Sequence, residues 1–138
     1  MSREILFRAK HIHAMDSNEH LNGTWVHGYL SGKNYIYDKS LEGEFLVDED
    51  TICQYTGLTD KNGKKIFEGD VVKDSAGVCG EVKFGLYAAG FSIPDTNQGF
   101  YIEFPEKSLY REELGYWRNK IVVVGNVFDN PELLEKVK

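Results

Sequence analysis

The residues best suited to chemistry lie in "HIHAMDSNEH", where His11, His13, Asp16 and His20 fall within ten positions. Imidazole nitrogens and a carboxylate are zinc ligands, and a zinc site needs three or four of them converging near about 2 Å. The i, i+2 histidines would share a face if a strand ran that far. The spacing departs from a hydrolase H-x-H-x-D-H box, because Asp16 follows His13 by three residues rather than two. A solvated loop beside an edge strand is therefore the expectation, with no metal assigned.

Other candidates fare no better. "DKNGKKIFE" has the look of a calcium loop but lacks the carboxylate at the fifth position and the Gly after it, which favours a hairpin. The run Asp48, Glu49 and Asp50 reads as a solvated turn. Cys53 and Cys79 stand 26 positions apart, outside any CxxC spacing, and are expected to be thiols without a redox or metal role. No G-x-S-x-G, Walker or dinucleotide fingerprint occurs, and "GVCGEV" lacks the third Gly. The expectation is a protein that is not an enzyme, with no catalytic, cofactor-binding or metal residues.

Composition sets the frame for the elements that must carry any site. At 138 residues, 41% hydrophobic and 28% charged, the chain matches a soluble globular protein. Its longest apolar run, around "IVVVG", is far short of the ~20 residues a membrane span needs. The N-terminus carries charges at Arg3 and Glu4 with no sustained apolar core, so no secretory signal is expected. Net charge is -6, with eight basic and eleven acidic residues on either side of the Glu68/Gly69 junction. Such a balance argues against a general nucleic-acid coat, whose affinity comes from Lys and Arg on phosphates.

Period-two patterning dominates the chain. "REILFRAK" sets Ile5, Phe7 and Ala9 against Glu4, Arg8 and Lys10, as in a half-buried strand. "TWVHGYL" and "YIYD" flank the turn signal "SGKN" and predict a hairpin, with Trp25, Tyr29, Tyr35 and Tyr37 as cross-strand aromatics. Asn62-Gly63 predicts a hairpin tip, as a two-residue turn or a longer loop ending in a Gly bulge; Gly69-Asp70 predicts a second reversal and "DSAG" a third. "VCGEVKF" should place Val78, Gly80, Val82 and Phe84 inward and Cys79, Glu81 and Lys83 outward, with Gly80 where backbones approach.

"FSI" and "FYIEF" continue the strands, Phe100, Ile102 and Phe104 facing one way. Pro105 could open a short helix using Leu109, Tyr110 and Leu114, ended by Gly115. "KIVVVGNVF" reads as a central strand, the hardest segment to expose. The last helix should start at Asn130 as N-cap with Pro131 behind it, docking Leu133, Leu134 and Val137. Three reversals in about thirty residues imply a tightly curled antiparallel sheet. The expected fold is thus mainly β: an N-terminal strand and β-hairpin region over 1–50, then a small antiparallel barrel with a short C-terminal helix over 51–138.

Four segments carry a family resemblance: "REILFRA" (3–9), "WVHGYL" (25–30), "QYTGLTDKNGKKIFEGDVV" (54–72) and "GNVFDNPELL" (125–134). In these the chain resembles the YopX family of phage and prophage proteins, while 85–120 carry little that matches. It departs from the family pattern at Lys10-His11, where Trp-Asp is usual, and at Cys53, where Gly is common. The resemblance implies a barrel of the Src-homology type, self-assembly into oligomers and no established activity.

Residues and resemblance together give the functional expectation: a phage or prophage accessory protein in the cytoplasm of a bacterial host, non-enzymatic and self-associating, that presents a surface to a host or phage protein. Two Trp and eight Tyr exceed what a core of this size needs. The alternative is a nucleic-acid-binding small barrel using Lys61, Lys64, Lys65, Lys73 and Lys83.

Overall fold

A computed structural model describes residues 5–12, 23–88, 96–104 and 112–134. The chain forms two compact units, Met1–Tyr55 and Thr56–Lys138. The described residues build two antiparallel sheets and one short helix. The closed small barrel expected from the turns is not detected among the described residues: the reversals form as predicted, and they join the strands into two sheets.

The first unit holds β1 (Phe7–Lys10), β2 (Trp25–Gly32), β3 (Tyr35–Asp38), β4 (Gly43–Leu46) and the start of β5 (Cys53–Thr59). Their order is β4-β3-β2-β1-β5. Register pairs Phe7 with Gly28 and Ala9 with Val26, and Leu30 with Ile36, which itself faces Phe45. This face is the core, built from Ala9, Val26, Ile36, Phe45 and Val47 with Phe7 and Ile52 against them. The other face carries Arg8, Lys10, Trp25, His27, Tyr29, Tyr35 and Tyr37. Arg8, expected in solvent, is instead buried, its guanidinium lying 4.8 Å from the Trp25 ring centroid.

The second unit adds β6 (Lys65–Phe67), which pairs with the end of β5, and a sheet of order β10-β7-β8-β9. Its strands are β7 (Asp70–Asp74), β8 (Cys79–Ala88), β9 (Thr96–Glu103) and β10 (Ile121–Asn126). Ile66, Val72, Val82, Ile102, Phe104, Leu114 and Ile121 form its core. Gly80 faces that core, where an added Cβ would fall 2.6 Å from Ile102 Cγ2, so the predicted close approach is real.

Four sequence expectations fail here for identifiable reasons. β10 is an outer strand of its sheet rather than a central one; only Ile121 is fully buried, and Val124 is exposed. Its free edge is shielded by the 60–64 turn, through Lys61 N–H on Ile121 O (3.2 Å) and Asp60 on Val123 N–H. Val78 lies outside β8 and is exposed. The helix α1 (Leu114–Trp117) contains Gly115 instead of ending there, and burying Leu114 anchors it; Pro105, Leu109 and Tyr110 lie outside the described residues. Pro131–Leu134 is a 3-10 turn, and the Asn130 side chain reaches back to Asn126 N–H (3.3 Å) rather than forward as a cap. Phe91-Ser92-Ile93 and Val137 also fall outside the described residues.

The turns share one chemical device. Asp60 Oδ1 accepts from Asn62 N–H (2.8 Å) and Lys64 N–H (3.0 Å), and Asp74 Oδ1 accepts from Ala76 N–H and Val78 N–H (both 2.9 Å). In each, the Gly three residues on takes positive φ, Gly63 at 84° and Gly77 at 87°. A three-residue loop ending in a Gly bulge results, the longer of the two predicted forms. Asp38 works alike: Oδ1 accepts from the N–H (2.9 Å) and hydroxyl (2.6 Å) of Ser40 and from Leu41 N–H (3.3 Å), while Oδ2 accepts from His27 N–H (2.9 Å) on the next strand.

Burial pushes the Asp38 and Asp60 carboxyls up, but the hydrogen bonds they accept outweigh it and hold both below the ordinary aspartate value of 3.8. Carboxyls lowered by folding stabilise fully above 3.8, and that contribution fades as pH falls through their lower folded values. Glu81 acts in the opposite sense: burial raises it, Lys83 opposes, and Glu103 and Glu68 add to the rise. With two lowered groups against one raised group, the urea midpoint is expected to fall on acidification from about pH 4 to pH 2, and less steeply in Asp38→Asn. A flat or rising midpoint across that window would contradict this balance.

Candidate functional site

Of the four residues weighed as metal ligands, only His11 lies within the described residues. His13, Asp16 and His20 lie outside them, and among the described residues no group of three or more His, Cys, Asp or Glu side chains is placed to hold a metal ion. His11 is not the solvated loop residue expected. It is buried, its Nδ1–H donates to Leu46 O (2.7 Å), and its ring meets Phe45 edge-on at 5.2 Å. That hydrogen bond joins β1's extension to β4, as does the isolated bridge from His11 to Val47.

The acidic run becomes a 3-10 turn at Glu49–Thr51, capped by Asp48, whose carboxylate accepts from Asp50 N–H at 3.0 Å. Both cysteines are thiols: Cys53 is buried with Sγ 3.4 Å from Thr51 O, and Cys79 is half-buried.

The five lysines of the alternative reading are divided between a turn and three strands. Lys61 and Lys64 sit on the turn after β5, and Lys65 opens β6. Register places Lys73 and Lys83 on one side of their sheet with Glu81 and Glu103 between them. Lys83 Nζ is 2.9 Å from Glu103 Oε1, and that hydrogen bond raises its pKa. The pair is a solvent-screened one, worth no more than about 1 kcal/mol. At Lys83 the local charge is cancelled by Glu103.

Two surfaces stand out instead. On the first unit, the outer face of β2 and β3 presents aromatic rings: Tyr29 is 60% exposed and lies directly opposite Tyr37, with Tyr35 beside them and Trp25 toward β1. His27 shares this face, its imidazole held below its ordinary pKa by burial and then by the Arg8 charge, against an opposing pull from Asp38. It is a neutral ring near pH 7.

On the second unit, β8 pairs with β7 only over Cys79–Glu81, while its pairing with β9 runs on to Ala88. From Lys83 onward β8 pairs with β9 alone among the described residues, while β9 also meets Glu112 and Glu113 at Ile102 and Tyr101. The stripe Val82, Phe84, Leu86 begins in the core and leaves it: Val82 and Ile102 are fully buried, Phe84 is 52% exposed and Leu86 73%. Phe84 meets Phe100 edge-on at 5.0 Å, and on the reverse side Tyr87 stacks on Tyr101 at 5.7 Å. Phe84 was expected inward, and Leu86 was not assigned at all. Its alternation with Val82 and Phe84 was the available signal, masked by the flanking Gly85.

No helix among the described residues is long and apolar enough to cross a membrane. A search of curated proteins finds no match to this chain. A sequence model of one family, described as YopX protein, matches residues 6–135, a span that takes in both units, both surfaces and all the aspartate-braced turns. The chain belongs to the YopX family.

Proposed function

We propose that this protein is a non-enzymatic phage or prophage accessory protein that self-associates in the cytoplasm of a bacterial host and presents a surface to another protein. The observation that supports this is the β8–β9 ribbon. A two-stranded ribbon is marginal by itself, yet this one extends an apolar stripe, Phe84, Leu86 and Phe100, beyond the core it starts in. Among the described residues, the β8 edge beyond Val82 pairs with no further strand. A second copy laid against the stripe would bury rings and leucine side chains worth roughly 1.5 to 3 kcal/mol each.

Light scattering behind a sizing column tests this. The wild-type chain is expected to elute well above its 15.7 kDa monomer mass. Phe84→Lys/Leu86→Lys is expected to shift it to monomer while leaving the circular dichroism of the sheets unchanged. A wild-type monomer at every concentration, or an oligomer indifferent to both substitutions, would reject the reading.

A further inference from the structure

Strand edges in the second sheet are guarded by bulges and by covering chain. The outer edge of β10 carries a bulge between Val123 and Gly125 and lies under the 60–64 turn. The outer edge of β9 is met by Glu112, whose O accepts from Ile102 N–H (2.8 Å), and by Glu113, bridged to Tyr101. On β8, β7 covers residues 79–81, and Gly69 N–H closes on Val82 O (2.8 Å). Beyond Val82 that protection stops. Nothing among the described residues pairs with this edge, and Phe84, Gly85, Leu86 and Tyr87 bring no charge, proline or bulge to keep another strand away.

The direction of the backbone groups on this edge is fixed by the neighbours. Val82 O is turned from β9 toward Gly69, and backbone groups alternate sides along a strand, so the N–H and C=O of Phe84 and Leu86 point outward. Those of Lys83, Gly85 and Tyr87 point to β9. An incoming antiparallel strand must therefore set apolar side chains opposite Phe84 and Leu86, and must stop before Gly69. The β8 strand of a second copy meets both conditions. Val82, where Gly69 intervenes, and Ala88, where β8 ends, are equally far along the chain from Gly85. A two-fold axis at Gly85 thus puts Phe84 of each copy opposite Leu86 of the other. It also puts Lys83 opposite Tyr87, a cation beside a ring rather than beside a like charge.

Given the self-association proposed above, on which this rests, we infer that two copies of this chain join by antiparallel pairing of β8 with β8 over residues 83–87, centred on Gly85. Phe84 and Leu86 exchange hydrogen bonds across the axis and cover each other's exposed side chains, so the two stripes run on as one apolar face. Gly85 meets Gly85 as a non-hydrogen-bonded pair, with Cα atoms about 4.5 Å apart and so within disulfide reach. A Cβ added at Gly85 meets nothing closer than Tyr101 Cε1 at 3.7 Å, so a cysteine fits there.

Crosslinking of the full chain decides it, in a Cys79→Ser background with oxidised glutathione as the oxidant. Gly85→Cys is expected to run at twice the 15.7 kDa monomer mass on a non-reducing gel and to return to monomer on reduction. Gln98→Cys, opposite Leu86 on β9, is expected to stay uncrosslinked, because paired β8 edges hold the two β9 strands about 14 Å apart. Leu86→Ala and Leu86→Pro then separate side chain from edge. Both lose the leucine, but proline also lacks the outward N–H, a loss that an edge strand tolerates. Two symmetry-related hydrogen bonds, each worth about a factor of five, should leave the Leu86→Pro dimer about twenty-five-fold weaker than the Leu86→Ala dimer in light scattering over a dilution series. Circular dichroism checks that both fold; where Leu86→Pro does not, the crosslink alone decides. An oligomer in which Gly85→Cys crosslinks no faster than Gln98→Cys, or in which folded alanine and proline variants dissociate alike, overturns the pairing and leaves self-association standing. A wild-type monomer at every concentration overturns both.

Discussion

Asp60→Ala is expected to destabilise the second unit by about 3 kcal/mol, because it strips a buried acceptor from three backbone amides at once. Oδ1 serves Asn62 and Lys64 within the turn, and Oδ2 serves Val123 at 2.9 Å on β10. Each buried N–H left without a partner costs about 1 to 3 kcal/mol, less where water can reach it, as it can at the turn tip. The Val123 amide sits beside the core and has least access. Asp60→Asn is the informative companion: its carbonyl can keep the turn, but its amide group meets Val123 N–H donor to donor, so about half the loss is expected. Urea unfolding read at Trp117 (with Trp25→Phe as background) measures both. An Asp60→Ala midpoint equal to wild type would mean that the turn and β10 are not joined through this carboxylate.

Gly28→Ala is expected to cost about 3 kcal/mol, concentrated in the first unit. A Cβ at position 28 would run into the Tyr37 carbonyl oxygen and stand 3.3 Å from Asp38 Cα. The obstacle is backbone, and it cannot drift away cheaply. Asp38 ties that segment to β2 through His27 N–H, and to its own turn through Ser40 and Leu41. Gly32→Ala on the same strand is the control, since its Cβ would meet only the Tyr35 ring at an ordinary 3.6 Å. Trp25 fluorescence in a Trp117→Phe background should show Gly28→Ala unfolding early and Gly32→Ala close to wild type. Equal midpoints for the two would show that β2 and β3 are looser than the register implies.

These two predictions also mark how far local sequence reaches. The turns at 60–64 and 74–78 were legible from Asn62-Gly63 and "DSAG" because such signals are local: the turn hydrogen bonds that Asp60 and Asp74 accept close within four residues. Period-two alternation likewise separated Trp25, His27 and Tyr29 from Val26, Gly28 and Leu30, because pleat geometry depends on neighbours alone. Which of those faces became core was not legible, since both carried apolar surface. Pairing decided it, by setting Ala9, Ile36 and Phe45 around Val26.

The amino-acid sequence by itself determined strand periodicity, the positions of the reversals and the family, all properties of short stretches or of their order. Tertiary structure alone decided that Asp60 braces a strand 63 residues away, that "IVVVG" lies at a sheet edge, that His11 is buried, and that Phe84 and Leu86 emerge from the core. The physical reason is common to all four. Burial and hydrogen-bond partnership depend on which segment lies alongside, and alternation along one strand says nothing about where its neighbour stops.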